Sequence, residues 1–176
     1  MRRAWPFLLI GTAWAHHGQL SGSPFLSGLA HPFTGLDHLT AALAVGLWGS
    51  YFLGRKALLP AALFISAVGV GALLGGAGVA LPLAETAATF SVLALGLMLL
   101  FAFRKTSFAL PLVALFGLLH GNLHGLEAPT FGYAYLAGIL LSTAFLHAAG
   151  LLTGSVLKDR GLRAAGALLV VLSLLL

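Results

Sequence analysis

The sequence predicts an all-α integral membrane protein, a six-transmembrane-helix bundle that follows an N-terminal signal peptide. Three observations carry that fold class. Of the 176 residues, 60% are hydrophobic and only 7% are charged, too little polar surface for a soluble domain of this length. The apolar stretches are continuous and about 20 residues long, as helical spans require, whereas a membrane barrel shows alternating segments of about ten. Finally, the basic residues fall in separate groups at the ends of those stretches. In lipid the backbone must satisfy itself, so helices or a closed barrel are the only spanning solutions, and the pattern selects helices.

Residues 1–15 read as a secretory signal: Arg2 and Arg3, an apolar stretch from Ala4 to Trp14, and a small-x-small site at Ala13-Trp14-Ala15. The alternative is an uncleaved first helix, but the stretch is short for a span and contains Pro6. Residues 16–176 then form one domain, with spans expected at about 36–53, 57–79, 83–103, 107–124, 131–153 and 162–176. No linker, charge block or low-complexity region divides it.

The positive-inside rule tests this order. Arg55 and Lys56 follow the first span, Arg104 and Lys105 the third, and Lys158, Arg160 and Arg163 lie between the fifth and sixth; Arg2 and Arg3 complete the nine basic residues. The connections at 80–82 and 125–130 carry none. This alternation places the mature N-terminus outside, in the periplasm if the host is a bacterium and the membrane its inner one. The net charge of +5 is therefore a topology signal. It forms no basic face with an aromatic platform, which argues against nucleic acid as a partner. The absence of cysteine excludes disulfides, thiolate metal sites and a cysteine nucleophile. Glycines recur four apart at Gly117, Gly121 and Gly125, at Gly71 and Gly75, and at Gly150 and Gly154, a spacing that lets helix backbones approach closely.

The chemistry is concentrated in few residues. Of the four acids, Asp159 sits among basic residues and reads as a solvated charge, while Asp37, Glu85 and Glu127 lie at the outer ends of the first, third and fourth spans. Histidines accompany them: His31 and His38 beside Asp37, and His120 and His124 ahead of Glu127. Ionisable groups in or beside spans are costly and usually face a cavity or a partner. On a helix His120, His124 and Glu127, at spacings of four and three, form one polar stripe. Imidazole and carboxylate without thiolate suit zinc, nickel, cobalt or manganese and disfavour copper(I). The blander alternative is that each histidine bonds to a neighbouring helix.

His31-Pro32-Phe33-Thr34-Gly35-Leu36-Asp37-His38 reads as a turn into the first span, with Pro32 holding the chain extended before the helix and Asp37 suiting the helix N-terminus. Adjacent residues point in different directions on a helix, so Asp37 and His38 share a site only if the start of that span is irregular. Glu85 is either a helix-start carboxylate or a ligand. His147, deep in the fifth span, is either packed or a relay point on a path inward. His16 and His17 would form a new N-terminus after cleavage and recruit metal there, or else a disordered end.

Together these residues resemble the hydrogenase/urease accessory family known as HupE/UreJ, nickel permeases, over nearly the whole chain. The resemblance rests on His31-Pro32-Phe33-Thr34-Gly35-Leu36-Asp37-His38 continuing to Val45-Gly46-Leu47-Trp48, on His120-Gly121-x-x-His124-Gly125-x-Glu127, and on Ser142-Thr143-Ala144 to Leu146-His147 and Gly150. It implies that His31, Asp37, His38, Glu85, His124 and Glu127 are needed for nickel transport. Family members often carry methionine where Ala42 stands and a small residue where Leu123 stands. The metal preference is thereby left open among Ni2+, Co2+ and Zn2+.

The expectation is thus a permease, not an enzyme, that imports a divalent metal with no permanently bound cofactor, its partners being the ion, the lipid bilayer, a second copy of itself and downstream metallochaperones. There is no phosphate-binding glycine loop for an ATPase. Two rivals are a metal-dependent intramembrane hydrolase and a haem-binding bundle. The zinc-protease pattern is absent because Gly121 follows His120, and a haem protein would show a Soret band.

Overall fold

The computed structural model describes residues 23–176, so the expected signal peptide and His16 and His17 lie outside the described residues. The described residues contain helices and turns and no strand. Helix α1 spans Pro24–Thr34, with Pro24 in its first turn where its missing N–H costs nothing. It ends at Gly35, whose backbone is extended (φ −97°, ψ 121°), and α2 begins at once, over Leu36–Gly49. Pro32 does not hold the chain extended as the sequence suggested: it is buried inside α1. A proline that close to a helix end removes only one helical bond, and the helix stops two residues later. The break between His31 and Asp37 falls at the glycine.

A 3-10 turn, Gly54–Leu58, carries Arg55 and Lys56 into α3, Leu59–Gly76. Helix α4 is Ala84–Leu100 and α5 is Thr106–Leu126. Helix α6, Tyr133–Ser173, is broken at Lys158, where φ is +55°. Its first arm packs on α1 through Gly138 and on α2 through Gly150, whereas its second arm packs on α4 through Gly166. The chain therefore doubles back at Lys158, and the loop expected between 153 and 162 shrinks to a bend. Helix occupies each of the six expected segments, and α1 adds one that was not expected.

Among the described residues, three helical stretches, Gly54–Gly76, Thr106–Leu126 and Tyr133–Ser173, are long and apolar enough to cross a membrane, and Ala84–Leu100 is a shorter apolar helix. The core is mainly apolar, yet large apolar side chains also cover the outside and several polar ones are buried within. Phe90, Leu115, Phe145, Leu152 and Leu168 are exposed, while His38, Ser91, His120, Asn122, His124, Ser142, Thr143 and His147 are buried. Lipid solvates the first set, and the second must find partners within the bundle.

Glycine lets helix backbones lie directly against one another. Along α3 and α5, a Cβ on Gly71 would overlap the Leu118 carbonyl, one on Gly75 the Asn122 carbonyl, one on Gly121 the backbone of Val68 and one on Gly125 the backbone of Ala72. Each helix thus presents its glycines to the backbone of the other. Apolar lipid gives little hydrophobic drive between helices, so this close approach supplies dispersion contact instead.

The connections sort by charge. Those bearing Arg55 and Lys56, Arg104 and Lys105, and Lys158 to Arg163 meet at one end, the basic end. There Trp48 Nε1 donates to the Phe103 carbonyl (2.7 Å), the Tyr51 hydroxyl donates to the Leu99 carbonyl (3.0 Å), and the Arg104 guanidinium lies 4.5 Å from the Tyr51 ring centre. Arg104 Nη2 and Arg163 Nε both donate to Asp159, at 2.7 and 3.1 Å. The Arg163 hydrogen bond, followed by the charges of both arginines, holds the exposed Asp159 carboxyl below its ordinary value of 3.8. A carboxyl depressed in the folded state stabilises it above the ordinary value and ceases to do so as pH falls through the lowered one. Exposure makes that contribution small. Trp48, by contrast, is fully buried, and losing its bond strands a carbonyl at a cost of about 1–2 kcal/mol. Trp48→Phe is expected to lower the melting temperature in detergent at neutral pH, and Asp159→Asn to leave it unchanged.

Candidate functional site

At the other end, the histidine end, three helix termini meet. The last turn of α1 supplies His31, the first turn of α2 supplies Asp37 and His38, and the last two turns of α5 supply His120 and His124, with Glu127 as the C-cap residue. The four imidazoles form a continuous edge-to-face cluster: His31 to His124 at 4.9 Å between ring centres, His124 to His38 at 4.3 Å, and His38 to His120 at 4.8 Å. His31 Nε2 meets Glu127 Oε2 at 3.2 Å. That pair is the open rim, with side-chain exposures of 22% and 42%. His38, His124 and His120 are buried at 9%, 2% and 1%. The cluster therefore runs inward from a wet carboxylate to a dry imidazole.

Hydrogen bonds settle which nitrogen carries the proton on two of these rings in their neutral form. A carboxylate and a carbonyl only accept. His38 Nδ1 lies 2.8 Å from Asp37 Oδ1 and so donates to it, leaving Nε2 as the lone-pair nitrogen. The Ser91 hydroxyl spends its single hydrogen on the Ala88 carbonyl (2.6 Å), so across the 2.9 Å contact it accepts from His120 Nε2, and His120 Nδ1 holds the lone pair. His38 Nε2, His124 Nδ1 and the Tyr135 hydroxyl are buried with no hydrogen-bond partner among the described residues. A buried imidazole whose N–H is committed to a protein acceptor and whose other nitrogen is unpaired is how metal-ligating histidines are usually held.

Of the residues singled out from the sequence, His31, Asp37, His38, His120, His124 and Glu127 come together. The irregular start that Asp37 and His38 needed is the break at Gly35. Glu85 is exposed in the first turn of α4 and makes no ion pair or hydrogen bond among the described residues. His147 is buried further along the bundle. Among the described residues no three His, Asp or Glu side chains are arranged to hold a metal ion as they stand. Capture of an ion would draw nitrogens to about 2.0–2.1 Å from it, a movement of side chains within the cluster.

Three contributors had no signal of their own in the sequence. Ser91 fixes His120 from α4. Tyr135 stands 6.1 Å from His31 between ring centres. Asn122, between the two histidines of α5, accepts from Leu81 N–H (2.8 Å) and donates to the Val79 carbonyl (2.7 Å), tying the connection ahead of α4 to α5.

The chain matches a family model described as HupE / UreJ protein over residues 5–176. It is 41% identical over 142 residues to "Protein HupE" of Rhizobium leguminosarum bv. viciae, which covers 79% of this chain and 74% of that protein. No solved structure matches it.

Proposed function

The chain belongs to the HupE/UreJ family, and from that premise we propose that it is a membrane permease that imports a divalent transition metal, Ni2+ first and Co2+ next, for hydrogenase or urease maturation. On this reading it is no enzyme and keeps no resident cofactor; the ion is cargo. It sits in the bacterial inner membrane with six spans after a cleaved signal, and its N-terminus and histidine end face the periplasm. His16 and His17 recruit the ion, His31 and Glu127 receive it at the rim, and His38, His120 and His124 replace its hydration shell, with Asp37 orienting His38. Glu85 belongs to the same end and acts when the ion approaches or leaves.

One observation carries the reading: buried imidazoles, two with their N–H committed to a protein acceptor, converge beside two carboxylates at one end of a mainly apolar bundle. The driving force needs no ATP. A charge crossing 100 mV gains about 2.3 kcal/mol, so a dication entering a negative interior gains about 4.6.

The test is radiolabelled nickel uptake by cells that lack other nickel importers. Cells expressing the protein are expected to take up nickel at least about tenfold faster than cells expressing His124→Ala, since lost ligands and their supports cost about 10–100-fold in affinity. Imidazole binds metal only when neutral, so uptake is also expected to fall in acid. Uptake equal in the wild type, His124→Ala and vector-only cells removes the permease reading.

A further inference from the structure

His147 lies outside the cluster. It sits on the first arm of α6, is 2% exposed, and its Nδ1 donates to the Ala42 carbonyl of α2 at 2.5 Å. The carbonyl can only accept, so Nε2 is the lone-pair nitrogen, and it is buried with no hydrogen-bond partner among the described residues. Ala42 follows His38 by four residues on α2, which at 1.5 Å per residue puts His147 about 6 Å further toward the basic end. The Phe64 ring of α3 touches both His120 (5.8 Å between centres) and His147 (5.1 Å). Thr143, one helical turn before His147 and on the same face of α6, is buried, and its hydroxyl has no hydrogen-bond partner among the described residues.

A packing histidine does not need this arrangement. Burial of an unpaired polar atom is unfavourable, and a leucine or phenylalanine would fill the space without that cost. Resting on the permease reading above, we propose that His147 is a second binding station for the transported divalent cation. Its Nε2 takes over the ion beside Phe64, and the Thr143 hydroxyl stands by as an oxygen donor. The Ala42 carbonyl holds the ring so that the lone pair stays turned into the bundle. Transport then has two steps, capture at the histidine end and transfer to His147.

Two substitutions separate ligation from packing. Asparagine retains a donor near the position of Nδ1 and has nothing at Nε2; glutamine retains an acceptor near Nε2 and gives up the donor to Ala42. His147→Asn is expected to lower nickel uptake at least tenfold while the affinity of the histidine-end site for nickel, measured by calorimetry on the purified full-length protein in detergent, stays within threefold of wild type. His147→Gln is expected to transport better than His147→Asn. The reverse order, or wild-type uptake by His147→Asn, overturns the proposal and makes His147 a packing residue. A readout without transport uses Co2+ absorption in His38→Ala/His124→Ala protein. Residual Co2+ binding that disappears on adding His147→Asn supports the station, and residual binding indifferent to that change, or none at all, overturns it. If the wild type neither binds nor imports nickel, the permease reading fails as well, an outcome distinct from loss of the second step alone.

Discussion

Asp37→Asn is expected to weaken nickel binding and uptake by about 10–100-fold, the usual cost of altering a carboxylate that supports a metal-ligating histidine. The two side chains are nearly the same size, so packing is preserved and the change is electrostatic. Asp37 Oδ1 is 2.8 Å from His38 Nδ1, and its negative charge makes the opposite nitrogen a better donor to a cation. The amide of asparagine carries no charge and can turn its NH2 toward the ring, which would leave the proton of the neutral imidazole on Nε2, the atom that should meet the ion. Nickel titration by calorimetry, together with uptake in cells, checks this. Wild-type values in both would mean that Asp37 serves only the start of α2.

Gly121→Val is expected to have the largest effect on the fold, costing about 3 kcal/mol or more, at the upper end for forced overpacking. A Cβ at Gly121 falls on the Val68 backbone, which has no rotamer to move. Helices α3 and α5 would have to separate along their length, and α5 carries His120 and His124. Gly132→Ala is the matched control, since a Cβ there meets nothing within 4 Å. Thermal unfolding in detergent should show a broad, lowered transition for Gly121→Val and a wild-type one for Gly132→Ala. Similar melting of the two would show that the α3–α5 contact relaxes freely.

The helices were legible because hydrocarbon permits so few alternatives: long apolar runs punctuated by Arg55-Lys56, Arg104-Lys105 and Lys158-Arg163 leave little choice of boundary. The His120, His124 and Glu127 stripe was legible because helical spacing alone puts those residues on one side. Helix α1 was not. Pro32 looks like a local breaker, and only packing of Gly28 and Gly138 against the facing backbones shows why helix persists around it. The charge density from Lys158 to Arg163 resembles a solvated connection, whereas the chain there makes only a bend at Lys158. Ser91 and Asn122 act across 29 and 41 residues of chain, on His120 and on Leu81. Such long-range partners leave no periodicity to find. Glu85 lies exposed in the first turn of α4, where a carboxylate suits the helix N-terminus.

The break at Gly35 has a consequence for which sequences can occupy that position. Its φ of −97° is open to every amino acid, so backbone freedom does not account for glycine. A methyl group there would lie 2.9 Å from Asp37 Oδ1 and 3.1 Å from His38 Nδ1. It would thus wedge itself into the one pairing that orients His38, and the carboxylate, being the mobile party, would swing aside while the helices stayed where they are. The residue is defined by the room it leaves for its neighbours, so its replacement would silence the chemistry of a protein that still folds.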